Sequence, residues 1–214
     1  MSTIYPPQPP RGLAEFAEKV GLFTRRPPNA LFSTEESIPL HATRLLLLLH
    51  LAGRPINQPR IEGRTKLAKL DFFVRYPQFL EKAARILSAD KQLAQLQEVT
   101  KEGATVESHM IRYRYGPWDQ KYYLVLAYLS GKALIDVRPQ EGVDRYSLTY
   151  KGQELAVKLE AFSEFQILAV QSRIVGDLFG QRRGSWIKDF IYRHFPEVVR
   201  TPYNQIIVKA DGNE

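Results

Sequence analysis

The stretch YLSGKALIDVRPQEGVDRYSLTYKGQELA, Tyr128 to Ala156, decides how this chain is read. A helical pattern stops at Gly131, and ALIDVRP and DRYSLTY then read as two short strands around the turn Pro139-Gln140-Glu141-Gly142. Thr149 stands where a side-chain oxygen can cap the next helix, which starts LTxxGxxLA. Helix, strand, turn, strand and helix in that order are the local grammar of a winged helix.

Working outward, three helical segments precede the hairpin and supply what it packs on. From Ile38, with Pro39 in its first turn and Gly53 as its stop, TRLLLLLHLA is apolar nearly all round and belongs in the middle of a core. PINQPRIEG reads as a loop. Gly63 opens a helix with Leu67, Leu70, Phe73 and Val74 inward, and Pro77 begins another with Phe79, Leu80, Ala83, Ala84 and Leu87 on one side. LAQLQEV is a polar helical stretch. Val106 to Tyr115 has strand composition and is halted by Gly116-Pro117, after which Asp119 caps a helix carrying Tyr122, Tyr123, Leu126 and Leu129. Beyond the hairpin, Leu155, Leu159, Phe162 and Ala169 keep helical spacing for several turns. SWIKDFIYRHFPEV forms a last amphipathic helix closed by Pro196.

Seven of the fourteen prolines fall in the first forty residues, which precludes continuous helix there. The expected organisation is therefore a Pro-rich arm over 1–37 with one short helix (Leu13, Phe16, Ala17, Val20), a winged helix-turn-helix core over 38–180, and a C-terminal helix and tail over 181–214. The fold class is mainly α with a small β-hairpin wing.

Composition removes several chemistries. Zero cysteines among 214 residues exclude a disulfide scaffold, a thiolate nucleophile, an iron–sulfur cluster and a Cys-based zinc site. His41, His50, His109 and His194 never fall at i, i+3 or i+4, so hydrogen-bonding roles are expected of them, and no metal or cofactor. GxSxG, GxGxxG and GxxxxGK[ST] are all missing, and the carboxylates are scattered. These readings favour a non-enzyme. The opening MSTIYPPQPPRG has no secretory pattern, and Leu45 to Leu49 is too short a run to span a bilayer, so the chain is expected to be cytoplasmic and off the membrane.

Charge supplies the first candidate site. The chain carries 30 Lys and Arg against 23 Asp and Glu, a formal charge of +7. His41 to Asp90 holds nine of the basic residues and four acids, so most of the surplus lies in one quarter of the sequence. Arg60, Arg64, Lys66 and Lys69, with Arg138 and Arg145 on the wing, are the candidates for DNA or phosphate contact. Gly63-Arg64-Thr65-Lys66 also places basic and hydroxyl groups at a helix start, where an anion is favoured. The plain alternative is a solvated outer face.

The second candidate is MIRYRYGPWDQKYY, Met110 to Tyr123, with four tyrosines and a tryptophan. Such a stretch suits base stacking, a protein interface or a strand-turn-helix corner of the core. Interface or core is preferred, and the candidate contact residues are Arg112, Arg114, Tyr115, Trp118 and Tyr122.

IEGRTKLAKLDFFVRYPQFL, RYGPWDQKYY, LTYKGQELA and WIKDFIYRHFPEV together resemble the winged-helix middle component of bacterial ABC-three-component systems, the group that includes Lamassu-type antiphage defence. The likeness runs from about Leu45 to Val199. It implies a non-catalytic accessory subunit that docks on an SMC-like, ABC-type ATPase, helps restrain or position a nuclease effector, and meets DNA through the complex. The alternative is a free-standing winged-helix transcriptional regulator that binds a specific duplex.

Overall fold

The computed structural model of the chain describes residues 37–101, 110–114 and 116–207. The expected Pro-rich arm with its short helix (except Ser37), the Val106–His109 part of the expected strand, Tyr115 and the tail from 208 lie outside the described residues.

Helix α1 (Ile38–Ala52) starts where its sequence predicts, with Pro39 in the first turn where an N–H donor would have no intrahelical partner, and the Ser37 hydroxyl accepts the Leu40 N–H at 3.4 Å. Leu45 to Leu49 are all buried, so α1 runs through the core. The segment expected to be loop contains a short strand, β1 (Arg60–Glu62), whose Ile61 is buried. Three residues give too little alternation to show in sequence; a partner strand creates it.

Helices α2 (Arg64–Arg75) and α3 (Pro77–Ile86) follow, split at Tyr76 by Pro77, and then α4 (Asp90–Lys101). The expected single strand before Gly116 is instead a ribbon, β2 (Ile111–Tyr113) antiparallel to β3 (Gly116–Trp118). Pro117 is tolerated there for a specific reason. It faces Arg112, whose N–H donates to the Gln205 carbonyl and whose own carbonyl accepts from Asn204, so no ribbon bond requires a proline donor.

Helix α5 (Tyr122–Gly131) leads into β4 (Ile135–Gln140) and β5 (Val143–Leu148). The turn is tighter than predicted, only Glu141-Gly142, with φ of 50° and 77°. Two successive left-handed residues match the twist of a two-residue hairpin. β5 pairs with both β4 and β1, giving one antiparallel three-stranded sheet in the order β1-β5-β4.

Thr149 caps α6 (Tyr150–Ala161) as predicted, its hydroxyl accepting the Gly152 N–H at 3.0 Å. The long helix expected beyond it is broken. Phe162 is exposed, a short 3-10 turn covers Ser163–Phe165, and α7 (Gln166–Phe179) turns back along α1. Pro196 ends α8 (Gly184–His194) as expected but also starts a short α9 (Pro196–Arg200).

Among the described residues the chain is thus mainly helical with a small antiparallel sheet of three strands. No helix there is long and apolar enough to cross a membrane. Ile187, Phe190, Ile191, Phe195, Val198 and Ile207, beyond the predicted boundary at 180, join the same buried cluster as α1. Phe73 stacks on Phe179 at 4.5 Å and meets Phe195 edge-on at 5.8 Å. Such ring pairs contribute roughly 0.5–1.5 kcal/mol each beyond burial.

One cluster inside this apolar core is charged. Asp71 on α2 is fully buried and accepts from four directions: Arg44 Nε at 2.7 Å and NH2 at 3.3 Å from α1, Arg75 Nε at 2.8 Å, and the Tyr122 hydroxyl at 2.7 Å from α5. Arg75 also donates to Asp119 Oδ2 at 2.8 Å, while Asp119 Oδ1 takes the Lys121 N–H. Asp119 therefore works one turn ahead of α5 rather than as the predicted cap, because its carboxylate is shared with a buried guanidinium. Burial alone would push the Asp71 carboxyl up; the two arginines and the tyrosine outweigh it and hold the group well below the ordinary range.

Two stability tests follow from this packing. A Cβ on Gly152 would stand 1.9 Å from the Leu134 carbonyl oxygen, which already accepts the Thr149 N–H. Gly152→Ala is expected to cost roughly 1–3 kcal/mol in urea unfolding. Asp71→Asn strands two buried guanidiniums and should cost roughly 3–5 kcal/mol. Because the folded Asp71 is more acidic than the unfolded one, its contribution is whole above about pH 4 and declines as pH falls below that. The unfolding free energy of the Asn variant should lack that part of the acid slope.

Candidate docking site

The structure divides the sequence-predicted residues among three environments. Lys69 and Tyr122 are interior. Lys69 is 3% exposed on the inner side of α2, and its amine donates to the Thr65 carbonyl at 3.0 Å. Burial, reinforced by Lys188, pulls that amine down to about 8. Tyr122 is 2% exposed beneath Trp118 and belongs to the Asp71 cluster. Neither can touch phosphate or a partner, which corrects both expectations. Arg44 and Arg75, counted in the basic segment, are inside as well. The +5 surplus of His41 to Asp90 is therefore not one face, since Asp71 and Asp119 answer part of it in the core.

The predicted phosphate cradle at the start of α2 is also divided. Gly63 has φ 89° and donates its N–H to the Asp144 carbonyl at 2.8 Å, locking the helix start to the wing. Arg64 turns to one side, pairing with Asp144 at 3.4 Å and lying over the Tyr123 ring at 4.9 Å. Lys66 turns to the other, donating to the Gly180 carbonyl at 2.9 Å. Arg60 and Arg145 share Glu62, at 3.5 and 3.9 Å, and Arg138 pairs with Asp136 along the exposed side of β4.

On the Arg64 side lies a cleft of about 350 Å³, walled by Tyr113, Pro117, Trp118, Tyr123 and the wing residues Val143 and Asp144. Trp118 meets Tyr113 at 6.2 Å and Tyr123 at 6.0 Å. The predicted aromatic stretch is thus split, with Tyr122 in the core and Trp118 on the cleft wall. Arg114 is exposed at the ribbon turn. Arg112 is drawn away to the C-terminal segment, where it donates to the Thr201 carbonyl and covers the Tyr203 ring at 4.6 Å.

The cleft runs into a surface that the sequence reading missed. α5 buries Tyr122, Val125, Leu126 and Leu129, the i, i+3, i+4, i+7 set of one face. Its other face is also apolar: Tyr123 is 58% exposed, Leu124 61% and Tyr128 37%, with Ala127 between them. Not one of its ten residues is charged or carries an amide. A helix apolar on both faces normally lies inside a core, so an open outer face of this kind is a candidate for contact with another surface. The signal was present in YYLVLAYLSG, where the apolar positions exceed what a single stripe requires.

Of the histidines described, His41 contacts Arg44, His50 bridges Gln153 and Glu160, and His194 packs on Phe190. No group of three or more potential metal ligands occurs among the described residues. No family model, curated protein or solved structure matches this chain.

The buried amine at Lys69 makes a measurable prediction. Its folded pKa lies below the unfolded value of about 10.4, so stability should rise as pH climbs from about 8 toward 10. Lys69→Met should flatten that rise in denaturant titrations carried out at each pH.

Proposed function

We propose that the chain is a non-catalytic adaptor with a winged-helix core, docking on an SMC-like ATPase through the outer face of α5 and the adjoining aromatic cleft, and thereby helping to restrain or position a nuclease effector in an antiphage defence complex. In this reading α1, β1, α2, α5 and the β4–β5 wing form the winged helix. Helices α3 and α4 and the β2–β3 ribbon are inserted between α2 and α5. The sheet order β1-β5-β4, with a helix directly before the hairpin, is compatible with that architecture.

The observation that carries the reading is the composition of α5. In a winged-helix transcriptional regulator, the helix before the wing reads base edges chiefly with Arg, Lys, Asn, Gln, Asp or Glu side chains. α5 has none of them, and Ser130 at its end is a lone small hydroxyl. Exposed Tyr and Leu at its surface suit a desolvated protein contact, where aromatic anchors dominate the energy. The assignment of the partner as an SMC-like ATPase rests on the sequence resemblance.

The chain is expected to co-purify with a coiled-coil ATPase encoded beside it at moderate salt. Tyr123→Ser/Leu124→Gln, both at exposed positions, should lower that association by at least about tenfold while leaving the thermal midpoint unchanged. Failure to associate, or tight sequence-specific duplex binding by the isolated chain, would reject the adaptor reading. DNA should remain uncut when the chain is incubated alone with Mg²⁺ or Mn²⁺.

A further inference from the structure

On the opposite side of the α2 start from the aromatic cleft lies a larger one, about 540 Å³, formed by the end of α1, β1, the wing tip and the α7–α8 turn. Six cations line it: Arg54, Arg60, Lys66, Arg145, Arg182 and Arg183. Two carboxylates, Glu62 and Glu141, are the acids among its walls. Only Arg60 and Lys66 of these six belong to the sequence cluster at the α2 start, and Arg145 comes from the wing. Arg54 lies six residues before Arg60, and folding brings in Arg182 and Arg183 from more than a hundred positions away.

The cations outnumber the acids that meet them, and several are also fixed by carbonyls or rings. Arg54 donates to the carbonyls of Leu51 at 3.1 Å and Gly53 at 2.9 Å, and Lys66 donates to that of Gly180. A carbonyl orients a cation without removing its charge; Asp177 answers part of the Arg54 charge at 3.7 Å, and Glu62 is the acid near Lys66. Room for Arg54 depends on two glycines of the α7 end: a Cβ on Gly176 would stand 3.1 Å from its NH2, and one on Gly180 3.1 Å from its Cγ. Arg182 lies over Trp186 at 4.7 Å, which holds the guanidinium while covering the ring, and Arg183 is exposed beside it. The Arg145 Nε–H is buried with no acceptor. Burial, together with nearby Arg54, lowers the pKa of Lys66 despite Glu62.

We infer that this cleft holds the phosphodiester backbone of duplex nucleic acid without reading its sequence. Cations placed around one groove gain affinity by releasing the counterions condensed on a polyphosphate. A duplex is favoured over a single strand because single-strand binders stack bases on open aromatic rings, and Trp186 is covered by Arg182. Backbone contact alone carries no base information, consistent with the bare composition of α5.

Fluorescence anisotropy of a labelled duplex of about 20 base pairs, titrated with the full chain between about 50 and 200 mM salt, tests the inference. Affinity should be equal for two unrelated sequences and should fall steeply with salt. Arg182→Ala/Arg183→Ala should weaken it about tenfold and reduce the log–log salt slope by about 2. Lys151→Ala/Lys158→Ala removes the same charge from α6 and should leave both quantities unchanged. Equal loss in the two variants, tighter binding of a single strand, displacement of the duplex by ATP at micromolar concentration, or no binding at the lowest salt would each overturn the assignment. Tyr123→Ser/Leu124→Gln should not alter duplex binding, so this site and the docking surface can fail separately.

Discussion

The carboxylate of Asp71 ties three helices together at the centre of an otherwise apolar core. Arg44 brings α1 to it, Arg75 extends it along α2 to Asp119, and Tyr122 brings α5. A buried ion cluster of this kind adds little net stability compared with a well-packed apolar one, because desolvating the charges consumes most of their attraction. Its value lies in direction. An apolar contact between α1, α2 and α5 would tolerate several rotations of α5, whereas a hydroxyl that must reach one carboxylate oxygen at 2.7 Å tolerates one. Burial lowers both arginines' affinity for the proton, yet Arg75 gains overall because it faces Asp71 and Asp119, while Arg44 shares Asp71 with it.

That constraint reaches the surface through adjacent residues. With Tyr122 held inward, Tyr123 and Leu124 are forced outward, and Asp119 positions the strand from which Trp118 projects. The orientation of the proposed docking face is therefore set from beneath by a polar group that never meets the partner. Trp118, edge-on to Tyr122 at 5.3 Å and to Tyr123 at 6.0 Å, is the physical link between the two.

Local signals were legible in the sequence and long-range pairings were not. Pro39 and Thr149 announced their helices because a helix start needs only neighbours within one turn, and the hairpin was visible because its strands flank a turn. β1 and the β2–β3 ribbon stayed hidden. β1 exists because β5 offers an edge, and β3 survives its proline because the C-terminal segment takes the Arg112 bonds on the far side. Charge was the most misleading signal. Arg44, Lys69 and Arg75 look identical to surface cations in a composition count, and only the positions of Asp71, Asp119 and Thr65 show that they point inward. Conversely, Arg182 and Arg183 drew no notice in the sequence, since the residues that make them part of a basic cleft lie over a hundred positions away or on the wing.

The start of α2 is where the wing, the aromatic cleft and the basic cleft meet. Gly63, fixed to Asp144 and pressed toward Val143, joins helix and wing into one ridge. Arg64 and Lys66 are two residues apart, a spacing that sends helical side chains to different faces. One settles among aromatic rings with its charge answered by Asp144; the other settles among arginines, held by the Gly180 carbonyl with Glu62 as the nearby acid. The same ridge therefore separates an apolar surface suited to protein from a charged one suited to phosphate, and the chain can present both at once because the two clefts share only Val143 at the wing tip.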